Sequence, residues 1–135
     1  MAGGRTGGGR LLLRPAPRPS RLPSMEKKSL TALVRTQLQL AGGASSGRSA
    51  QTVYGGHEHV LRQTLIALNA GFLLDEHDNP GEATLYVLKG RVRLHSEGES
   101  WEGSAGDLLI VPQARHSLEA VEDSAVLLTV AKPGR

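Results

Sequence analysis

The feature that most constrains this chain is a series of short β-type runs between Gln51 and Ala131. Turn residues such as Asn79-Pro80-Gly81 and Lys89-Gly90 separate the runs, at the spacing of about 8–12 residues that is typical of sandwiches and barrels. No segment between them has the length and periodicity of a crossover helix, so the strands should pair antiparallel. Closure into a barrel would protect the edges of such short strands. The predicted strands are Val60–Leu68, Thr84–Leu88, Arg91–His95, Asp107–Val111, Ser117–Val121 and Ala125–Ala131.

One helix is predicted before the strands, over Glu26–Ala41. Its apolar residues recur at the spacing of one helical face, while basic residues and glutamines occupy the rest. Those apolar residues are Leu30, Leu33, Val34, Leu38 and Ala41. Ser29 is placed to cap the amino end, and Gly42-Gly43 to end the helix. A linker of small residues, Ala44–Ser49, follows, so residues 25–50 form a helix and linker ahead of an all-β domain over residues 51–135.

The first 24 residues differ in composition from the rest. They contain five of the 17 glycines, four of the seven prolines and five arginines without an acidic residue. Such a segment cannot bury enough apolar area to offset the entropy lost on ordering, so we expect residues 1–24 to form a disordered basic leader. The composition changes at Met25, which is also a candidate initiator. Residues 25–135 hold the other 11 basic residues against all 13 acidic ones, which makes the domain itself slightly acidic.

The composition excludes several classes of function. Aromatic residues make up 3% of the chain, too few for the stacking platforms of most single-strand nucleic-acid binders, so we expect no direct contact with nucleic acid. The chain has no cysteine, which excludes disulfide scaffolds and thiolate zinc sites. Apolar runs do not exceed four residues, against about 20 for a membrane helix. We therefore expect a cytoplasmic protein that does not span a membrane.

Two features of the strands have structural explanations. Arg91, Arg93 and His95 alternate with apolar residues, which is typical of a strand with one polar and one apolar face. We expect this stripe to face solvent. Trp101 is the only tryptophan and lies among polar residues, so half-buried packing on a strand explains it better than ligand stacking.

Two stretches carry glycine and histidine at positions that indicate a family. The first spans Gly71–Gly90 and contains His77, and the second spans Gly106–His116 and ends on a histidine. In order and spacing they resemble the paired motifs of the cupin superfamily, which are small double-stranded β-helix barrels. The resemblance covers about residues 55–131. It implies one jelly-roll-like barrel, preceded by the predicted helix.

The resemblance also implies a metal site. In the family, two histidines and a glutamate of the first motif and the histidine of the second converge on Fe, Mn, Ni, Zn or a similar ion. Here His77 and His116 match two of these ligands, whereas Asn79 and Ala83 occupy the positions of the other two. Glu82 lies beside the vacant glutamate position, but on a strand its side chain would project to the opposite face. What remains is a partial site for one divalent ion (Fe, Mn, Zn or Ni), with His77 and His116 as its ligands.

Two further residues are candidates for ligand binding. His59 forms an alternating pair with His57, and in an extended chain both would project to one side. Recruitment of either into the barrel would supply a third imidazole; a solvated loop is the alternative. Asn79 offers an amide oxygen, which is a poor donor to these metals, and Asn-Pro-Gly is also a turn signature.

Two function hypotheses from different classes follow. In the first, the barrel binds a small molecule in a mainly apolar cavity and is non-catalytic or regulatory, which fits the loss of two metal ligands. In the second, a metal-dependent enzyme of the dioxygenase or isomerase type uses His77 and His116, with His59 or Asn79, to hold an open-sited metal. The fold hosts many chemistries and does not choose between them, so whether the protein is an enzyme stays open.

The resemblance further implies a homodimer, formed by packing outer sheet faces or by exchanging N-terminal strands. The predicted helix over Glu26–Ala41 would either cover a sheet face or contribute to that contact. The chain has no second helix for a helix-turn-helix module, so any action on DNA would need another protein.

Overall fold

The computed structural model describes residues 25–77 and 81–132, which form one helix and nine strands. The predicted leader over residues 1–24 and the candidate Asn79 lie outside the described residues. The helix α1 spans Leu30–Gly42, and the strands are β1 (Arg48–Gly55), β2 (Leu61–Leu68), β3 (Leu73–His77), β4 (Glu82–Lys89), β5 (Arg91–Ser96), β6 (Glu99–Ser104), β7 (Leu108–Ile110), β8 (His116–Ala120) and β9 (Ser124–Ala131).

The strands form two sheets. One sheet has five strands in the order β1-β2-β9-β4-β7, and the other has four in the order β3-β8-β5-β6. Neighbouring strands within each sheet all pair antiparallel. The predicted all-β double-stranded β-helix with one N-terminal helix is therefore confirmed.

The main hydrophobic core lies between the inner faces of the two sheets. Alternate residues of each strand point into it, because successive side chains of a strand project to opposite faces. On β5, for example, Val92 and Leu94 are fully buried while Arg91 and Arg93 face outward. The buried core residues are Ile66, Ala83, Leu85, Val87, Val92, Leu94, Val111, Leu118, Val126 and Val130.

The six predicted strands are all present, and three further strands were not predicted. The six correspond to β2, β4, β5, β7, β8 and β9, with bounds within two residues of the prediction. The other three, β1, β3 and β6, are all edge strands. An edge strand buries fewer side chains, so its sequence shows less apolar alternation. The linker predicted over Ala44–Ser49 is also too long, because β1 begins at Arg48.

The helix α1 begins and ends at its predicted caps. The Ser29 hydroxyl accepts a hydrogen bond from the Ala32 amide at 3.1 Å, and Gly43 caps the carboxyl end. Because Ser29 is the cap, the helix starts at Leu30 and not at the predicted Glu26. Within the described residues, no helix has the length and apolar character needed to cross a membrane.

The helix covers part of the outer face of the five-stranded sheet. Val34 of α1 packs with Val53, Leu65 and Ala125 of strands β1, β2 and β9 in a second buried cluster. Gln37 is also buried, and its side-chain amide donates to Gln51 of β1 at 3.0 Å. Of the two arrangements that the sequence left open for this helix, the structure therefore shows that it covers a sheet face.

A glycine fixes the corner between β1 and β2. Gly55 has a φ of +85°, and a Cβ atom built on it would lie 1.9 Å from the carbonyl oxygen of Leu61. Only glycine adopts this conformation without strain, and only glycine leaves room for the crossing backbone. The turn that holds His57 and His59 starts directly after this corner.

Candidate functional site

The two motif histidines meet at one end of the barrel. His77 is the last residue of β3 and His116 the first of β8, and they are direct partners in the antiparallel register of these strands. Direct partners of an antiparallel pair have Cα atoms about 4.5–5.5 Å apart. The fold thus brings together the two positions that the sequence predicts as metal ligands.

The His116 ring is held in a defined tautomer. His116 is 6% exposed, and its Nδ1 atom lies 3.0 Å from the carbonyl oxygen of Ala114. Since a carbonyl oxygen only accepts, Nδ1 must carry the hydrogen of that bond. In the neutral ring, Nε2 is then the nitrogen with the lone pair, which is the arrangement found in most metal-binding histidines.

Ala83 occupies the motif position of the glutamate ligand. It is 8% exposed and belongs to the main core, whereas its neighbour Glu82 is exposed. Strand β4 begins at Glu82, so the two side chains project to opposite faces, as the sequence predicted. A methyl group therefore lies inside the barrel where the family pattern places a carboxylate.

The described residues do not fit the four-ligand metal site of the family pattern. Among the side chains that the structure describes, those of residues 25–75 and 81–132, no group of three or more histidine, cysteine, aspartate or glutamate residues lies close enough to hold a metal ion. Ala83 supplies no donor atom, and Glu82 faces away from the barrel. A metal at this end would depend on His116 and His77, together with Asn79 outside the described residues.

His59 lies on the helix side of the five-stranded sheet. It occupies the exposed turn between β1 and β2, where its ring meets Tyr54 edge-on at a centroid distance of 5.4 Å. Both rings line a groove of about 630 Å³, which also contacts Leu33 and Val53. His116, in contrast, is on the inner face of the four-stranded sheet. The role of His59 in ligand binding stays a prediction, and the residue itself lies on the outer surface of the sheet.

The sequence did not single out three other polar residues on the inner faces. Arg62 and Thr64 of β2 alternate with buried Ile66, and both are half-buried. Ser96 ends β5, is 5% exposed, and donates to the carbonyl oxygen of Arg115 at 2.8 Å. The available signal was the alternation of Arg62 and Thr64 with Ile66, but Leu65 is also apolar, so the sequence alone did not decide which face points inward.

The charged stripe on the other sheet is separate from this site. Arg93 bonds to Glu102 on β6 and to Glu119 on β8, and His95 Nε2 lies 2.9 Å from the same Glu119. The bond to Glu102 raises the pKa of Arg93, and the bond to Arg93 lowers the pKa of Glu102. These residues lie on the outer face, which confirms the prediction for the stripe. Trp101, on β6, is 45% exposed, which fits its predicted half-buried packing on a strand.

The fold and the spacing of glycine and histidine residues define a small single-barrel protein, and comparison with known proteins gives its family. The family model for the cupin domain matches residues 64–131, which is half of the chain. This protein therefore belongs to the cupin domain family. Among curated proteins, none matches it significantly.

Solved structures with the same fold support this assignment. A conserved protein of unknown function from Streptococcus pyogenes is 26% identical, with a TM-score of 0.61 over 68% of this chain and 80% of that one. A cupin superfamily protein from Desulfitobacterium hafniense is 14% identical, with a TM-score of 0.58 over 88% of this chain and 91% of that one. KdgF from Halomonas sp. is 24% identical, with a TM-score of 0.55 over 69% and 85%. The latter two show the fold alone.

Proposed function

We propose that this protein is a small-molecule-binding cupin in which the ligand occupies the His77–His116 end of the barrel, in a non-catalytic or regulatory role. The observation that carries the proposal is Ala83, which is buried inside the barrel at the position of the glutamate ligand. Without that carboxylate, the interior combines the apolar side chains of the main core with the polar His116, and small-molecule sites combine such groups. Asn79 is the residue assigned to contact with this ligand, whereas His59 lies in the outer groove and would bind a ligand only there.

A divalent ion of the Fe, Mn, Zn or Ni type would be held only weakly in this site. His77 and His116 would be its protein ligands, and imidazole suits these metals. The neutral amide of Asn79 is a poor third donor, and Ala83 supplies none. Such an ion would act as a Lewis acid toward a bound ligand.

The alternative is a metal-dependent enzyme of the dioxygenase or isomerase type. It is favoured by the direct register of His77 with His116 and by the Nδ1 bond of His116, which orients the ring as in metal-binding histidines. Tight metal binding separates the two functions, because an open-sited catalytic metal needs about three protein ligands.

Metal content tests this choice. The full chain is purified without an affinity histidine tag, and metal per chain is measured by elemental analysis before and after loading with Fe, Mn, Zn or Ni. The binding proposal expects far less than one ion per chain after dialysis. About one ion per chain, lost in a variant with His77→Ala and His116→Ala, would favour the enzyme alternative over the binding proposal.

The matched control removes the same number of histidines from an exposed turn. A variant with His57→Ala and His59→Ala should leave metal content unchanged, since these residues lie outside the barrel. Metal lost in this control and not in the other variant would place the ion in the outer groove and contradict the enzyme alternative for the barrel end.

We also propose a homodimer that forms through the uncovered part of the five-stranded sheet. Tyr86, Leu108 and Ile110 lie on the outer face of β4 and β7, beyond the area that α1 covers, and are 40%, 57% and 69% exposed. Beside them, a cleft of about 250 Å³ is lined by Leu108, Ile110 and Trp101, which is 45% exposed. We name these four residues the β7 patch.

The size of the β7 patch fits a second copy of the chain. At roughly 200 Å² for each large side chain, the exposed fractions amount to on the order of 400 Å², which is the size of patch that marks an interaction site. A stable dimer buries about 800 Å² per partner, of which about 65% is apolar. The patch supplies most of that apolar area and carries no charge. A two-fold contact would seat Ile110 of each copy against the partner's Trp101.

The single tryptophan makes this contact measurable. Light scattering should give twice the mass of the chain for the wild type, and dilution should shift Trp101 emission to longer wavelength as the patch becomes exposed. Ile110→Glu should give a monomer with that red-shifted emission at all concentrations. Leu40→Glu is the control, because Leu40 is 56% exposed on α1. A dimer that survives Ile110→Glu, or a monomeric wild type, would refute this contact.

We further propose that the protein acts in the cytoplasm without direct contact to nucleic acid. The absence of cysteine and the excess of acidic over basic residues after Met25 support this. Fluorescence anisotropy with labelled DNA or RNA tests the second statement, and saturable binding at physiological salt would contradict it.

A further inference from the structure

An arginine lies on the inner face of the barrel. Arg62 is the direct register partner of Val130 on β9, and Val130 in turn pairs with Ala83 on β4. Direct partners on neighbouring strands project to the same face. Val130 and Ala83 are both buried in the main core, so the side chain of Arg62 starts from the interior side of the sheet.

Arg62 shares the end of the barrel with the candidate site. Ala83 stands at the motif position next to the His77–His116 pair, and Arg62 lies in the same cross-strand row as Ala83. Thr64 lies two residues further along β2 on the same face, and its direct partner Leu128 packs against the main core. Arg62 and Thr64 therefore lie on the inner face of the five-stranded sheet, and His116 lies on the inner face of the four-stranded sheet.

The charge of Arg62 is not neutralised within the described residues. Arg91 and Arg93, on the outer face of the four-stranded sheet, form ion pairs with Glu122, Glu102 and Glu119. Arg62 is half-buried, yet no ion pair or side-chain hydrogen bond joins it to a described residue. A half-buried guanidinium has lost part of its hydration, and an anion with two acceptor oxygens replaces the lost hydrogen bonds to water.

We propose that the ligand of this barrel carries a carboxylate, which binds the guanidinium of Arg62 and is assisted by the Thr64 hydroxyl. This inference rests on the proposed binding function and names the chemical class of its ligand. A single guanidinium matches a carboxylate in charge and in its two parallel acceptors. A phosphate group is usually held by more than one cation or by backbone amides at a glycine-rich turn. Because Gly55 pairs directly with Arg62, inorganic phosphate is the competing anion that the test includes. The uncharged part of the ligand then contacts the apolar wall and His116.

The test compares acids with their uncharged amides. The full chain is titrated with acetate, pyruvate, succinate and benzoate, with the corresponding amides, and with inorganic phosphate, and amide resonances are followed by NMR. At least one carboxylate should bind, with shifts at Arg62, Ala83, His116 and Val130, and its amide should bind at least about tenfold more weakly.

Arginine variants assign the effect to one side chain. Arg62→Gln should weaken the carboxylate by about tenfold or more and leave the amide unchanged, and Arg62→Lys should recover only part of the loss, because lysine lacks the planar fork. Arg48→Gln is the matched control: Arg48 is exposed on the neighbouring strand β1, and its replacement changes the net charge equally. Thermal melting of each variant confirms that it is folded.

The outcomes separate this inference from the binding function. If amides bind the barrel as tightly as acids, or Arg48→Gln weakens acids as much as Arg62→Gln, the carboxylate assignment is wrong while the barrel remains a binding site. Preference for phosphate over every carboxylate overturns it as well. If none of the probes shifts the barrel resonances, both the carboxylate assignment and the binding function fail for this class of small molecules.

Discussion

The outer faces of the two sheets meet their surroundings in different ways. The five-stranded sheet is apolar on its outer side, where α1 covers Leu65 and Ala125. The four-stranded sheet is charged on its outer side, where Arg93 lies between Glu102 and Glu119. One face therefore stabilises the fold by burying apolar side chains, whereas the other carries cross-strand ion pairs that are exposed to water. Ion pairs of exposed side chains contribute little to stability, so the two faces should respond very differently to mutation.

The largest difference should come from the helix-covered face. Leu65 is fully buried between α1 and the sheet, and Leu65→Ala leaves a cavity there. We expect the free energy of unfolding to fall by about 3 kcal/mol, measured by urea denaturation. Leu40→Ala, at an exposed position of α1, should change it by less than about 0.5 kcal/mol. Equal effects would show that the helix does not pack on the sheet as described.

A smaller effect should come from the polar contact beneath the helix. Gln37 is 5% exposed and bonds to Gln51 and Ser49. Gln37→Ala removes the bond to Gln51, while the Ser49 hydroxyl keeps the backbone carbonyl of residue 37 as its acceptor. The substitution should reduce the free energy of unfolding by about 1–2 kcal/mol. Gln39→Ala is the control on the exposed side of the same helix. A destabilisation as large as that of Leu65→Ala would mean that this contact, and not apolar burial, holds the helix.

The smallest effect should come from the charged face, and it should depend on pH. Arg93 lowers the pKa of Glu102 from its ordinary value of 4.5, so their bond stabilises the folded state above that value and is lost as pH falls through the lowered pKa. Arg93→Gln should therefore be slightly less stable at neutral pH and should lose less stability on acidification. Urea midpoints measured from about pH 7 to about pH 3 test this. If Arg93→Gln lost as much stability on acidification as the wild type, the Arg93–Glu102 pair would not contribute to the pH dependence of stability.

The sequence predicted the central strands and one edge strand, β7, and missed the other three edge strands. Strand β5 was predicted because Val92 and Leu94 alternate with charged residues, whereas β6 buries only Gly103 and shows no apolar period. The sequence of β6 resembles a loop, and its pairing with β5 makes it a strand. The formation of an edge strand depends on the neighbouring strand to which it bonds, and the local sequence gives no information about that neighbour.

The candidate site was predictable where the motif is local. His116 and the replacement at Ala83 were located by the resemblance of the two motifs to the family pattern, and alternation gave the outward direction of Glu82. The outer position of His59 was not predictable, because it depends on the corner at Gly55 and on the packing of α1. Arg62 was missed for a related reason: only its pairing with Val130 shows which face it occupies.

The bonds from Gln37 to β1 have a consequence for the rate at which backbone amides exchange with solvent. An edge strand usually opens by itself and exchanges its hydrogens quickly. Here Gln37 ties α1 to β1 through Ser49 and Gln51, while Val53 anchors the same strand under the helix. Helix and edge strand should therefore open as one cooperative unit, so that deuterium uptake in Arg48–Gly55 follows that of Leu30–Gly42 and lags behind that of the other edge strands.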